Sequence, residues 1–210
     1  MITSALDPVL SSFRHHPLVR YLSLFYAVVW IVCAFSPLYR FDWLLENLLI
    51  FITIPWLAFE FSRRPLSDVS YILIIAFLTL HTIGSHYTYA EVPVGFWLQE
   101  ALSLSRNHYD RIVHFACGLL LAYPIRETFH RHSDMGPVLS GFVTFTVIAA
   151  ASAVYEIIEM IVAALVSPDA AMAFLGVQGD VFDAQKDSAL AIGGGLLTLM
   201  LTRRHFKNRV

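Results

Sequence analysis

The sequence has little charge and almost no cysteine, and both shortages narrow the class of protein. Only 14% of its 210 residues are charged, whereas soluble domains carry about 25%. The net charge of −2 offers no basic surface of the kind that attracts nucleic acids or anionic lipids. Cys33 and Cys117 both lie in apolar runs, where a small buried hydrophobe is the expected role. The composition therefore excludes a nucleic-acid-binding protein, a disordered chain and a disulfide-stapled secreted module.

Long apolar runs dominate the chain. Apolar residues make up 57% of it, and its mean hydropathy is +0.64. A membrane-spanning helix needs about 20 mostly apolar residues, and continuous runs without two-residue alternation indicate helices rather than barrel strands. We therefore predict an all-α integral membrane protein, a bundle of six transmembrane helices. The predicted spans are Tyr21–Pro37, Leu44–Phe59, Val69–Gly84, Tyr109–Glu127, Val138–Val166 and about Asp183–Thr202.

The distribution of lysine and arginine predicts the orientation, because these residues concentrate in cytoplasmic loops. With a cytoplasmic N-terminus, ten of the 14 basic residues fall in inner segments and four in outer segments. Both termini are therefore predicted to be cytoplasmic. The chain then divides into an N-terminal cytoplasmic segment (1–20), a transmembrane domain (21–202) and a basic cytoplasmic tail (203–210).

Charged residues inside the predicted spans fall near the outer face. Such residues are costly in lipid, so each is a candidate for a functional role. Asp110 and His114 lie in the first turns of the fourth span, four residues apart, and share one helix face. Glu156 and Glu159 lie late in the fifth span, three residues apart, and also share a face.

The last span adds further carboxylates at the same depth. Ala189–Leu201 alone is too short to cross the bilayer, so the helix must begin near Asp183. Asp183 and Asp187 then share a face, and Asp180 joins them if the helix begins one turn earlier. His81 lies late in the third span, which runs outward, and completes an acidic, histidine-containing cluster.

This cluster has the donor chemistry of a metal site. So many carboxylates cannot all stay ionised at low dielectric, so protons or metal ions must neutralise them. Carboxylates with imidazole suit Zn²⁺, Mn²⁺ or Fe²⁺, and carboxylates alone suit Mg²⁺. We predict His81 and Asp110 as catalytic residues. The predicted metal ligands are His114, Glu156, Glu159, Asp180, Asp183 and Asp187.

Each of these assignments has a structural alternative. Asp110 can form a salt bridge with Arg111 or Arg106 that caps the fourth span, since an acid in the first turn favours the helix dipole. His81 can be a hydrogen-bonded bundle residue. The acidic run before the last span can be a solvated loop in which Asp183 is an ordinary N-cap.

Four stretches of the sequence resemble the YjdF-type bacterial inner-membrane proteins. They are HTIGSHYTY (81–89), RNHYDRIVHF (106–115), YEIIE (155–159) and QGDVFDAQKD (178–187). The likeness covers roughly residues 20–203. It implies a small polytopic protein of the bacterial cytoplasmic membrane. It implies no activity, because that family is one of unknown function.

The favoured function is a metal-dependent hydrolase or transferase acting on a membrane-associated substrate at the outer leaflet. The metal would lower the pKa of a bound water, and a remaining carboxylate or His81 would serve as base. One alternative is a small-solute or proton/cation-coupled transporter, against which the sequence shows no internal repeat. Another is a non-catalytic membrane factor whose polar cluster only fixes helix packing. The lipid bilayer is the one predicted partner.

Overall fold

The computed structural model describes residues 13, 15–133 and 135–207, and within that part every regular element is a helix. The remaining residues of the predicted N-terminal segment and of the basic tail lie outside the described residues. In chain order the described helices are α1 (Pro17–Ala34), α2 (Arg40–Arg63), α3 (Asp68–His86), α4 (Pro93–Ala101), α5 (Tyr109–His132), α6 (Pro137–Leu165), α7 (Pro168–Leu175), α8 (Asp183–Leu201) and α9 (Arg203–Lys207).

Six long helices coincide with the six predicted spans to within five residues at each end. Four of them, α1, α2, α3 and α6, are long and apolar enough to cross a membrane. The other two, α5 and α8, are long enough but less apolar. Helices α1 and α2 each begin four residues before the predicted start. Helix α1 begins at Pro17, because proline suits the first helical turn. It ends at Ala34, since Phe35 is extended and Ser36 has a φ of 46°.

Helix α3 lies at the centre of the apolar core. Its most apolar stretch is 56% buried, against 11–22% for α1, α2 and α6. Leu78 of α3 belongs to a buried cluster that includes Tyr26 of α1, Ile50 of α2 and Val113 of α5. The three less buried helices carry many exposed large apolar side chains, as expected for helices that face lipid.

Helices α5 and α8 pack at backbone distance. A Cβ added to Gly118 would lie 1.8 Å from the Ala191 carbonyl oxygen, and one added to Gly194 would lie 2.2 Å from the Phe115 oxygen. Small residues permit this approach, which is common between membrane helices. The glycines therefore bring the two less apolar helices into direct backbone contact.

The six long helices alternate in direction, so their ends form two faces. The site end consists of segments 35–39, 87–108 and 166–182 with the adjoining helix ends. These segments bond to one another: Arg106 Nη1 donates to the Val177 oxygen at 3.0 Å, and the Asn107 amide donates to Gln178 Oε1 at 3.0 Å. Helix α8 begins at Asp183, as the span-length argument predicted, and Phe182 rather than Asp183 is its N-cap.

The opposite face, which we call the basic end, includes the start of α3 and the end of α5. A buried carboxylate connects these two helices there. Glu127 of α5 is 1% exposed. It accepts hydrogen bonds from the Ser67 amide at 3.1 Å and the Ser70 hydroxyl at 2.5 Å, and it pairs with Arg131 at 2.7 Å. These contacts connect α5 to the start of α3 and are structural.

Candidate functional site

At the site end, α5, α6 and α8 bring together an acid–histidine cluster of Asp110, His114, Glu156 and Asp187. Nε2 of His114 lies 3.5 Å from Asp110 Oδ1 and 3.6 Å from Glu156 Oε1. Three donor atoms, one from each of Asp110, His114 and Asp187, lie within 4.8 Å of one another. The four-residue spacing on α5 thus places two donors on one face, and α8 supplies the third.

Two carboxylate oxygens in the acid–histidine cluster accept no hydrogen bond from the part of the chain that the structure describes. Asp187 is only 2% exposed, and its Oδ1 accepts no hydrogen bond from any described residue. The same holds for Oε1 of Glu156, whose nearest recorded partner is the His114 nitrogen at 3.6 Å. Buried carboxylate oxygens normally accept hydrogen bonds, because leaving one without a donor costs about 1–3 kcal/mol. Either atom can therefore accept a proton or a hydrogen bond, or bind a cation.

Two of the remaining predicted acidic ligands, Asp180 and Asp183, are paired with basic side chains. Two guanidinium nitrogens of Arg106 bind the two oxygens of Asp183, and both residues are nearly buried. Arg111 binds Asp180 and also lies 3.2 Å from Asp183. Lys186 Nζ donates to Asp180 at 2.5 Å, and this bond contributes most to holding the pKa of the Asp180 carboxyl below its usual range. We call these five residues the arginine frame.

The arginine frame bears on the alternative reading of Asp110. The recorded ion pairs of Arg106 and Arg111 go to Asp183 and Asp180 rather than to Asp110. Among the described residues, the ion pair recorded for Asp110 is the one with His114.

A second group, the tyrosine network, consists of Glu46, His81, Tyr89 and Tyr155. Nε2 of His81 donates to the Glu46 carbonyl oxygen at 3.1 Å, so its Nδ1 is the acceptor for the Tyr89 hydroxyl at 2.6 Å. The Tyr155 hydroxyl donates to the Glu46 carboxylate, which also lies 3.4 Å from the Tyr89 oxygen. Both ring nitrogens of His81 are therefore engaged.

Glu159 lies between the two groups. Its carboxyl group shares a hydrogen bond with that of Glu156, and Glu46 and Asp110 are close enough to interact with it electrostatically. A hydrogen bond between two carboxyl groups requires a proton on one of them. Glu159 is thus better placed to hold a proton with Glu156 than to contact the same ion as Asp187.

The acid–histidine cluster and the tyrosine network meet at one cavity of about 280 Å³. Its walls come from α2, α3, α5 and α6. The titratable side chains in its wall at the site end are His81, Tyr89, Asp110, His114, Tyr155 and Glu159.

Comparison with known proteins identifies the family. The family model described as "Predicted membrane protein (DUF2238)" matches residues 18–208. The chain belongs to this family. A similar relative, the inner membrane protein YjdF of Escherichia coli K12, is 40% identical over 166 residues, which cover 79% of each chain. No solved structure matches the chain.

Family membership confirms the resemblance and the cellular location. The chain is an inner membrane protein embedded in the lipid bilayer, as the apolar runs and the resemblance predicted. All of the acid–histidine cluster and the tyrosine network lies inside the matched range. The family description names no activity.

Sequence reasoning did not identify three members of the tyrosine network as site residues. Tyr155 lies four residues before Glu159 and shares its face of α6, so the helical pattern could have indicated it. Glu46 lies in the second turn of α2, a charged residue in an apolar run, and this was an available signal. Tyr89 gives no such signal, because it follows the end of α3 with a φ of 53° and folds back onto that helix.

Proposed function

We propose that the chain crosses the membrane six times with both termini in the cytoplasm. The packing of α5 against α8 supports this, because Asp183 and Asp187, the acidic residues of α8, are buried. The basic end also carries Arg63, Arg64, Arg126 and Arg131, as a cytoplasmic face should.

Reporter fusions test this topology. Green fluorescent protein fused after residue 210 should fluoresce, and alkaline phosphatase inserted near residue 104 should be active, since one folds inside and the other outside. An active phosphatase at the C-terminus would contradict the proposed orientation.

We propose that the acid–histidine cluster binds one divalent metal ion through Asp110, His114 and Asp187. An ion about 2.0–2.2 Å from each donor holds the donor atoms within about 4.4 Å of one another. The observed spread of 4.8 Å therefore needs only small side-chain shifts. The observation that carries the proposal is Asp187, which belongs to this donor set and whose buried Oδ1 accepts no hydrogen bond from any described residue.

The charge balance supports the same proposal. Asp110, Glu156 and Asp187 contribute three carboxyl groups, while the nearby arginines pair with Asp180 and Asp183. A divalent cation would offset this excess of acid. We assign Asp180 and Asp183 to the arginine frame and not to the metal. Imidazole together with carboxylates favours Zn²⁺, Mn²⁺ or Fe²⁺ over Mg²⁺.

We propose that the reaction is metal-dependent hydrolysis or group transfer on a membrane-associated substrate. An ion held by Asp110, His114 and Asp187 would supply Lewis acidity and would lower the pKa of a water ligand. Glu156 would be suited to accept a proton from that water ligand. Its Oε1 accepts no hydrogen bond from a described residue and lies 3.6 Å from Nε2 of His114. Both ring nitrogens of His81 form hydrogen bonds, so we propose that His81 holds the Tyr89 hydroxyl in position.

Two other functions make different predictions. A cation transporter needs a polar path onward from the site, yet the cavity wall beyond His114 consists mainly of apolar residues such as Leu57, Phe77 and Leu121. A non-catalytic factor would lose only stability when the cluster is neutralised.

Metal content tests the proposed site. We expect about one equivalent of a transition metal in the purified protein, measured by inductively coupled plasma mass spectrometry. Asp187→Asn should lose it while remaining folded. Asp180→Asn is the matched control and should keep it, because Asp180 belongs to the arginine frame. A wild-type protein that stays metal-free after reconstitution, or an Asp187→Asn variant that binds as well, would overturn the proposal.

A further inference from the structure

The cavity extends far beyond the site end. Along α5, its lining residues run from Asp110 to Thr128, 18 residues further on. At about 1.5 Å per residue this is about 27 Å, close to the hydrocarbon thickness of about 30 Å. The cavity therefore runs along most of the depth of the bilayer.

Its polarity changes along this length. The acidic and histidine side chains lie at the site end, whereas the α5 wall continues as Cys117, Leu121, Pro124 and Ile125. The Thr128 hydroxyl, near the far end, bonds to the Pro124 carbonyl at 2.9 Å. A ligand that fits these walls has one polar end and one long apolar end.

The cavity lies between two helices that face lipid. Helix α2 packs mainly on α3, and α6 packs on α5, α7 and α8, so α2 and α6 form separate walls. Trp56 of α2 and Ala151 of α6 both line the cavity and are both exposed. At the site end the Tyr155–Glu46 hydrogen bond joins these two helices. A hydrocarbon chain can therefore pass from the bilayer into the cavity between α2 and α6.

We infer that the cavity takes the hydrocarbon chain of a single-chain amphiphile, whose polar head lies against the acid–histidine cluster. The volume of about 280 Å³ is at the lower limit of small-molecule pockets, about 300–1,000 Å³. A cavity of this volume suits one hydrocarbon chain better than the two chains of a phospholipid. Moving a chain from lipid into an apolar cavity changes its surroundings little, so the head group provides the specificity.

The inference rests on the proposed function only for the reaction at the head group, because chain binding depends on the cavity alone. A monoacylglycerol is a suitable probe, since its uncharged head needs no metal to balance it. We would use 1-palmitoylglycerol with a diazirine near the end of its chain and map the photo-adducts by peptide mass spectrometry.

We expect adducts on the α5 wall between Cys117 and Ile125. Ala151→Trp fills the cavity and should reduce these adducts about tenfold, the change that about 1.4 kcal/mol of lost binding gives. Ala153→Trp is the matched control, because it is exposed on the same helix and does not line the cavity. If Ala151→Trp does not fold, Thr53→Phe and its exposed neighbour Ile52→Phe form a second pair.

The inference would be overturned if the adducts were confined to the exposed faces of α1, α2 and α6. It would also be overturned if Ala151→Trp left the adducts on α5 unchanged. Competition by a two-chain phosphatidylcholine as strong as that by unlabelled monopalmitoylglycerol would overturn the single-chain assignment. Asp187→Asn should keep the α5 adducts. If the wild-type protein forms the α5 adducts but binds no metal, only the proposed metal function is overturned. If it binds metal but forms no α5 adducts, only this inference is overturned.

Discussion

Two aspartates one helical turn apart on α8 should respond in opposite ways to the same substitution. Asp183 is 5% exposed and is bound by two nitrogens of Arg106. Removing one charge of a buried pair costs about 3–5 kcal/mol. Asparagine keeps one oxygen that can accept from Arg106, so we expect about 3 kcal/mol for Asp183→Asn, the low end of that range.

Asp187 has no such partner. Its Oδ1 accepts no hydrogen bond from a described residue, and it stands near two further acidic groups, Asp110 and Glu156. Neutralising an unpaired buried carboxylate removes a desolvation cost. Asp187→Asn should therefore leave the metal-free protein as stable as the wild type or more stable.

Thermal unfolding in detergent with a chelator measures both effects. A chain of this length shifts by about 2–4 °C per kcal/mol, so Asp183→Asn should lower the midpoint by about 6–12 °C. Asp187→Asn should unfold at or above the wild-type midpoint. Metal at about 100 times its dissociation constant should raise the midpoint of the wild type and of Asp183→Asn by about 5–10 °C, and should not affect Asp187→Asn.

The reasoning is refuted if Asp187→Asn destabilises the metal-free protein as much as Asp183→Asn does. It is refuted equally if added metal stabilises Asp187→Asn and not Asp183→Asn, because the two residues would then have exchanged the roles that their contacts indicate.

Two further predictions concern the scaffold. Gly194→Leu should abolish the monodisperse peak in size-exclusion chromatography, because the new Cβ would lie 2.2 Å from the Phe115 oxygen. Gly193→Leu should keep that peak, because nothing lies within 4 Å of its Cβ position. Equal behaviour of the two variants would contradict the α5–α8 packing. Glu127→Gln should lower the free energy of unfolding by about 1–3 kcal/mol, because the Ser70 hydroxyl and Arg131 lose a buried carboxylate partner. An unchanged denaturation midpoint would show that the Glu127 carboxylate contributes nothing to stability.

The helices were predictable because lipid restricts what a chain can do. Every backbone group in the hydrocarbon must bond within its own segment, so apolar runs of sufficient length become helices. The start of α8 at Asp183 followed from this length requirement, although its apolar part begins later. The short helices α4 and α7 at the site end carry no comparable length signal, so no helix was predicted there.

The candidate site was predictable where its residues share a helix. The spacing of Asp110 and His114 on α5 placed both on one face, and the structure brings them together. Contacts between distant segments were not predictable: Arg106 and Asp183 are 77 residues apart, and nothing local indicates that they pair. Spacing alone therefore could not distinguish Asp183, which an arginine holds, from Asp187, which has an unpaired oxygen.

The position of a bound ion tests the central claim, a divalent metal site in the acid–histidine cluster, most directly. Crystals of the protein grown with Mn²⁺ or Zn²⁺ would locate the ion by anomalous scattering. We predict one strong peak about 2.0–2.2 Å from a carboxylate oxygen of Asp110, a ring nitrogen of His114 and Oδ1 of Asp187. A peak elsewhere, or no peak at this cluster in crystals soaked to saturation, would contradict the account.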